Sequence, residues 1–461
     1  MAESSTIAAL ATAPSPAGIA VIRISGPKTR TALKALFRSR RSPVRHKREL
    51  VYGEVLDFQS TEVIDRALAV YMPGPFSFTG EDVGEIHLHG SPILVQKVLR
   101  SIYAFGIDPA EPGEFSKRAF INGKIDLVQA EAISDLITAT SERALIVAGD
   151  HLEGKFSGAI DRLGEPLREG LAEIEASLDF PDEDIDPKSL NVIAGKLQEC
   201  ALEIERLLSS YSYGQILKEG YRVLLCGDPN VGKSSLLNRL LNSDRAIVTD
   251  VSGTTRDLIE ESSVLGGYKF IFCDSAGIVE TSDKVEKIGV ELALKRVGWA
   301  DLLLLVVDAS APNRSWQNTL RLIKPQARKI WLVVNKVDLN PNAVGEFFCD
   351  SGTCAQNFYI SAKTGDGLEA LQDALVEELR SAIPDQAESS GVTTNERHIS
   401  CLTRARDALT RAISAIRAGK IPAEIIGAEL RDSLKALEEL VGKTYTEDIL
   451  GRIFSRFCIG K

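Results

Sequence analysis

Lys233 and Ser234 close the run Gly227-Asp228-Pro229-Asn230-Val231-Gly232-Lys233-Ser234, a spacing suited to the chemistry of a nucleoside triphosphate. Gly227 and Gly232 free the backbone to fold back so that successive N–H groups face phosphate oxygens. Lys233 brings a point charge to the β- and γ-phosphates, and Ser234 offers a hydroxyl to Mg²⁺. Asn230, Val231, Gly232, Lys233, Ser234 and Ser235 are the expected nucleotide contacts of this loop. Downstream, Asp274-Ser275-Ala276-Gly277 reads DxxG. Asp274 can hold the Mg²⁺ shell through water, and the Gly277 N–H can meet the γ-phosphate. Asn335-Lys336-Val337-Asp338 reads NKxD, in which the Asp338 carboxylate accepts from guanine N1–H and the exocyclic amine. Adenine has no N1–H, and an unpaired buried carboxylate is costly, so the site rejects ATP. The backbone of Ser361-Ala362-Lys363 can donate to guanine O6. Together the four loops specify GTP.

A fifth segment, 249–257, reads Thr-Asp-Val-Ser-Gly-Thr-Thr-Arg-Asp. A hydroxyl here completes the Mg²⁺ shell with GTP bound and lets go after hydrolysis, which makes the segment a switch; Thr255 is the choice for the metal. Ile278 follows Gly277, where a Ras-like GTPase orients water with Gln. Another group must substitute, or the chain hydrolyses poorly alone. Asn230 and the carbonyls of residues 249–254 could hold a monovalent cation against the phosphates, doing electrostatically what an arginine finger does. Asp283 and Glu286 are both candidates for the water-positioning carboxylate.

Each loop needs a strand to carry it. Apolar runs at 223–226, 270–273, 302–307, 330–334 and 358–360 precede or separate them, which places the loops at the carboxyl edge of a mostly parallel, doubly wound sheet. Before this block, residues 1–124 read as an α/β unit, with strands expected at 18–26, 67–71 and 85–90 and helices at 29–37 and 92–99. His87 and His89 share a strand face; without a third ligand nearby they read as surface or packing residues rather than a metal site. Helical spacing runs through 127–180, resumes to about 217, and returns after 384. Pro166 should mark a kink or first turn, and the acidic 181–187 stretch reads as a solvated loop. Four segments follow: an N-terminal domain 1–124, a helical domain in two parts (125–219 and 385–461), and an inserted P-loop domain at 220–384.

With 461 residues the chain exceeds one core. Seven cysteines form no CxxC pair, and with Cys226 and Cys273 in apparent core strands, reduced thiols in a cytoplasmic protein are expected. No apolar run reaches transmembrane length, so no membrane role is expected. The net charge of −10 argues against broad nucleic-acid binding, yet residues 1–50 carry ten Lys or Arg against two Glu. A solvated loop is favoured there over a phosphate-backbone contact.

These segments resemble the MnmE/TrmE family of tRNA-modification GTPases over nearly the whole chain. GIAVIRISG (18–26), SFTGEDVGEIHLHG (77–90), PGEFSKRAFINGKIDLVQAEA (112–132), SLDFPDEDID (177–186), GDPNVGKSSLLN (227–238), IVTDVSGTTRD (247–257), DSAGIVETSDKVEKIGVE (274–291) and LGRIFSRFCIGK (450–461) carry the likeness. The resemblance implies an N-terminal folate-binding domain that forms a homodimer, a helical domain, and an inserted Ras-like G domain. It implies K⁺ on Asn230, Thr249, Val251 and Thr254, Mg²⁺ on Ser234 and Thr255, and Glu286 rather than Asp283 as the water-orienting carboxylate. A one-carbon donor, 5,10-methylene- or 5-formyl-tetrahydrofolate, would contact Arg23, Glu85, Lys124 and Lys461, with Cys458 close by in a catalytic or supporting role. A flavoprotein partner, MnmG/GidA, would bring FAD and NADH, and the pair would modify carbon 5 of the wobble uridine of tRNA. Ser275 stands where relatives often have Thr, and Val279 where they often have Arg.

Two other functions compete: a GTP-switched RNA-binding or ribosome-assembly factor without folate chemistry, and a stand-alone folate-dependent transferase regulated by GTP.

Overall fold

The computed structural model describes residues 5–179, 187–241, 260–274, 296–311, 316–343, 347, 349, 353–381, 391–418 and 422–461. Thr249, Val251, Thr254, Thr255, Gly277, Ile278, Val279, Asp283 and Glu286 lie outside these residues, as does the acidic run 181–186. Contacts divide the chain into two compact units. The first comprises Met1–Ser134, His151–Glu165 and Arg431–Lys461; the second comprises Asp135–Asp150 and Pro166–Leu430.

The first unit is built on seven strands: β1 (Ile7–Leu10), β2 (Ala17–Ser25), β3 (Phe37–Arg38), β4 (Val51–Leu56), β5 (Val63–Met72), β6 (Val83–Gly90) and β7 (Asp108–Pro109). Their order is β3-β4-β5-β6-β2-β1-β7, antiparallel except for the β1–β7 pair. Alternation along β2 buries Ala20, Ile22 and Ile24 and leaves Val21 and Arg23 on the opposite face, as the pleat requires. The helices Thr29–Leu36 and Pro92–Ala104 cover the apolar face, and their Leu33, Leu36, Val95, Val98 and Ile102 share one core with Ile22, Ile24 and Ile86. Pro92 sits in the first turn, where its missing N–H costs no helical bond.

The C-terminal helix Glu447–Phe454 belongs to the same unit. Thr446 caps it, its Oγ1 accepting from the Ile449 N–H at 3.4 Å. Leu450, Ile453 and Phe454 pack with Phe120 and Leu127. Beyond the helix, Ile459 bridges Pro112, and the Phe115 N–H donates to the Lys461 carbonyl at 3.2 Å. Gly460 makes this close return feasible, because at its φ of +95° a Cβ would collide with the Leu10 carbonyl oxygen.

The second unit contains β8 (Tyr221–Cys226), β9 (Glu260–Leu265), β10 (Tyr268–Asp274), β11 (Leu302–Asp308), β12 (Ile330–Asn335) and β13 (Gln356–Tyr359), in the order β13-β12-β11-β8-β10-β9. All pairs are parallel except β9 with β10. β11 reads as an unbroken apolar run because both faces are covered. Leu302, Leu304 and Val306 join a core with the helices Lys233–Leu241 and Leu368–Ser381, while Leu303, Leu305 and Val307 join another with Trp316–Ile323. β8 lies between β11 and β10, where the strand order reverses, so the turn after it opens at the switch point of the sheet.

Outside the sheet, the helices Pro187–Ser209 and Glu396–Ala418 pack on each other. Thr393 ties the two passages of the chain together: its Oγ1 donates to the Leu207 carbonyl and its N–H to Ser210 Oγ, both at 3.0 Å. The nucleotide-domain sequence therefore leaves and returns at one place in the helical part. The helix Lys155–Asp179 continues through Pro166. Cys349 and Cys354 are paired as a disulfide, which corrects the expectation of reduced thiols throughout; the loop leading into β13 brings their Cα atoms to 5.7 Å. Cys200, Cys226, Cys273, Cys401 and Cys458 form no disulfide among the described residues. No helix among the described residues is long and apolar enough to cross a membrane.

Candidate functional site

The loops of the second unit meet around Asn335, which is 2% exposed. Its Nδ2 donates to the Val231 carbonyl at 2.8 Å, and its Oδ1 accepts from the Ala362 N–H at 2.9 Å. One side chain thus joins the phosphate loop to the 361–363 loop. Gly232 leaves room for it: at φ +95° a Cβ would run into Asn335 Nδ2. Lys336 donates to the Asn230 carbonyl at 2.7 Å and to Asp308 Oδ2 at 2.6 Å. Burial acts to raise the Asp308 carboxyl, but its hydrogen bonds from Lys336 and Ser310 outweigh that and hold it below the ordinary value.

Ser361 Oγ donates to Asp338 Oδ1 at 2.7 Å, fixing the carboxylate of the NKxD loop. Asp338 lines a cavity of about 440 Å³ with Gly232, Ser235, Lys336, Ala362 and Lys363, a volume suited to a nucleoside. The Ser361 N–H is taken by the Asp366 carbonyl and the Ala362 N–H by Asn335, so among the described residues the Lys363 N–H is the loop donor left to a base. Arg239 donates to the carbonyls of Ala362 and Lys363 at 3.1 and 2.8 Å, occupying the acceptors of this loop.

At the phosphate end, Lys233 Nζ donates to the carbonyls of Gly227 and Asp228 at 3.0 and 2.9 Å, which sets the ammonium over the loop. Ser234 Oγ lies 3.0 Å from Asp274 Oδ2. A hydroxyl and a carboxylate together are the hard oxygen donors that suit Mg²⁺. Of the four expected K⁺ ligands, Asn230 alone is among the described residues, in a left-handed backbone at φ +64°. Asp308 and Arg239 escaped the sequence reading. Asp308 had one faint signal, its place at the end of an apolar strand; Arg239 had none.

A second cluster lies in the first unit. Arg23 and Glu85 are register partners on β2 and β6, and Arg23 Nε donates to Glu85 Oε1 at 2.9 Å. His87 Nε2 lies 3.2 Å from the other carboxylate oxygen. The His87 hydrogen bond, aided by Arg23 and opposed by burial, holds the Glu85 carboxyl below its usual value. The Arg23 guanidinium sits 5.7 Å from the Phe78 ring centre and 5.8 Å from that of Phe115. Phe115 is the residue whose N–H meets Lys461, so the chain terminus and Arg23 share a neighbour. Lys124 Nζ stands 5.9 Å from the Phe76 ring centre, on the same loop as Phe78. Cys458 is exposed, and its carbonyl accepts from the Lys461 N–H at 3.3 Å. Arg23 and Glu85 thus sit beside Phe78 and Phe115, Lys124 stands by Phe76 on the same loop, and the Lys461 backbone reaches Phe115. Three cationic residues and a carboxylate suit a ligand with carboxylates at one end and a hydrogen-bonding heterocycle at the other. His89 pairs instead with Asp65 at 2.9 Å, and no group of three metal-binding side chains occurs among the described residues.

The parallel sheet, its switch-point phosphate loop and the NKxD pocket define a P-loop G domain, inserted in the sequence of a helical domain that follows an N-terminal α/β domain. The GTP-binding protein TrmE N-terminus family model matches residues 6–124, and the MnmE helical domain model matches 127–458. The tRNA modification GTPase MnmE of Natranaerobius thermophilus is 39% identical over 99% of both chains, and that of Symbiobacterium thermophilum 42% identical over 99% of both. The solved G domain of the T. maritima FeoB iron transporter aligns at 30% identity, covering 34% of this chain and 97% of that one, with a TM-score of 0.26. This chain belongs to the MnmE family of tRNA modification GTPases.

Proposed function

We propose that this protein is a K⁺-activated GTP hydrolase of the cytoplasm that works as a homodimer with a flavin-dependent MnmG/GidA-type partner. Together they add an aminomethyl or carboxymethylaminomethyl group to carbon 5 of the wobble uridine of tRNA, with tetrahydrofolate as one-carbon donor. The domains run at 1–124, 220–384, and 125–219 with 385–461.

In the nucleotide site Asp338 accepts from the guanine edge, the Lys363 N–H donates to O6, and Lys233 neutralises charge at the β- and γ-phosphates. Ser234 and Thr255 would hold Mg²⁺, with Asp274 contributing to its shell through water. Asn230, Thr249, Val251 and Thr254 would hold K⁺. These ions supply charge neutralisation on the transferred phosphoryl group. Glu286 orients the attacking water. In the N-terminal site Arg23, Lys124 and Lys461 bind carboxylates of the folate and Glu85 binds its pterin edge, with Cys458 beside them.

The observation that supports the folate reading over an assembly factor is the return of the C-terminus to the N-terminal domain, where the Phe115 N–H meets the Lys461 carbonyl. An assembly factor has no need of that junction. Calorimetric titration of the full chain with 5-formyl-tetrahydrofolate tests it. Binding that weakens at least about tenfold in Arg23→Gln, the scale of one lost charge-assisted contact, is expected. Absence of binding by the unaltered chain would favour the assembly factor.

A further inference from the structure

Between residues 28 and 48 the chain carries nine Lys or Arg and no acid, within a protein of net charge −10. Arg30, Lys34, Arg38, Arg40, Arg41, Arg45, Lys47 and Arg48 are all exposed. Among the described residues, Glu54 meets Arg38 at 2.7 Å and Glu49 meets Arg41 at 3.0 Å, leaving a strong local surplus. At one end of this surface Arg48 donates through Nη2 to the Phe76 carbonyl.

Phe76 is 77% exposed, yet its loop is held at both ends. Asp82 accepts from Tyr71 OH at 2.6 Å and from the Gly74 N–H at 3.1 Å, and Asn122 Nδ2 donates to the Thr79 carbonyl at 2.7 Å. The ring therefore stands on a fixed turn, with Arg48 bonded to its backbone and Lys124 5.9 Å from its centre. A rigid, open aromatic ring beside cations, joined to a track of Arg and Lys, is what single-stranded nucleic acid requires. Base stacking supplies the ring contact, and the cations follow the phosphates.

We propose that Phe76 is a stacking platform for an unstacked base of the tRNA loop, and that the 28–48 surface binds the phosphates leading to it. The proposal rests on the tRNA reading above. It adds where the base lies: on the loop that also carries Phe78, against which Arg23 of the candidate folate cluster packs.

The test is fluorescence anisotropy of a labelled RNA anticodon stem-loop with the full-length protein. Phe76→Ala should weaken binding about tenfold, and Phe76→Tyr should keep it, since either ring stacks. The Arg45→Gln/Lys47→Gln double variant should lower the slope of log affinity against log salt by about 1.4, at roughly 0.7 per single-strand phosphate contact. GTP turnover should be unchanged in all three. Equal affinity of Phe76→Ala and the unaltered chain overturns the proposal. So does a change in oligomeric state with RNA affinity intact, which would make Phe76 a contact between copies. Binding to anionic phosphatidylserine vesicles but not to RNA overturns it as well. Folate titration on the same variants separates the two readings: loss of RNA binding in a protein that binds no folate removes the folate site and leaves the platform standing.

Discussion

Asn335→Ala should loosen the nucleotide domain at its centre. The side chain is buried and makes one hydrogen bond to the Val231 carbonyl and one to the Ala362 N–H. Truncation orphans both backbone groups, at about 1–3 kcal/mol each, and partial loop relaxation brings the expected total to roughly 2–4 kcal/mol. For a unit of this size that lowers the midpoint of thermal unfolding by on the order of 5–15 °C. GTP affinity should fall at least about tenfold, because the phosphate loop and the 361–363 loop would no longer be held in register before the nucleotide arrives. Differential scanning calorimetry and titration with a fluorescent GTP analogue read the two effects. An unchanged midpoint with an affinity within about twofold of the parent would refute the bridging role.

Further predictions concern the base, the water and the acid limb. Asp338→Asn should weaken GTP by about a hundredfold and relax base choice, since the amide cannot accept twice from guanine; a competition titration that still excludes other bases would contradict it. Glu286→Ala should leave GTP binding nearly unchanged and cut turnover by about a hundredfold or more, and unchanged single-turnover rates would remove Glu286 from the mechanism. Glu85 has its carboxyl lowered in the fold from 4.5, so its contribution to stability is complete above that value and is lost as pH falls through the lowered one. Denaturant unfolding below pH 4.5 should therefore show a smaller acid-side loss in Glu85→Gln, and identical slopes would sink the claim.

Much of the nucleotide domain was legible because its strands are apolar on both faces and its loops are short, so Asp274, Asn335 and Ser361 could be placed at strand ends from sequence alone. The edge strand β9, with the sequence EESSVL, escaped notice because one exposed edge tolerates polar residues. In the N-terminal domain β1, β3, β4 and β7 were missed. β3 and β7 have two residues each, and in β4 the buried position at Gly53 carries no apolar side chain to mark it. The docking of the C-terminal tail against Pro112 and Phe115 is long-range and has no local signature, although Gly460 is the residue that permits it. The Cys349–Cys354 pairing was also hidden, since a spacing of five resembles no common cysteine motif. The pairing of Asn335 with both loops depends on tertiary approach, which the NKxD pattern does not encode.

On the proposed mechanism, an alkali ion seated beside Asn230 would complete the charge neutralisation that hydrolysis requires. GTP turnover by the full-length protein in K⁺ and in Na⁺, at matched ionic strength and over a range of protein concentration, tests it most directly. Turnover should be rapid in K⁺ and slow in Na⁺, with a rate per molecule that rises with concentration. Equal rates in the two ions at every concentration would contradict it.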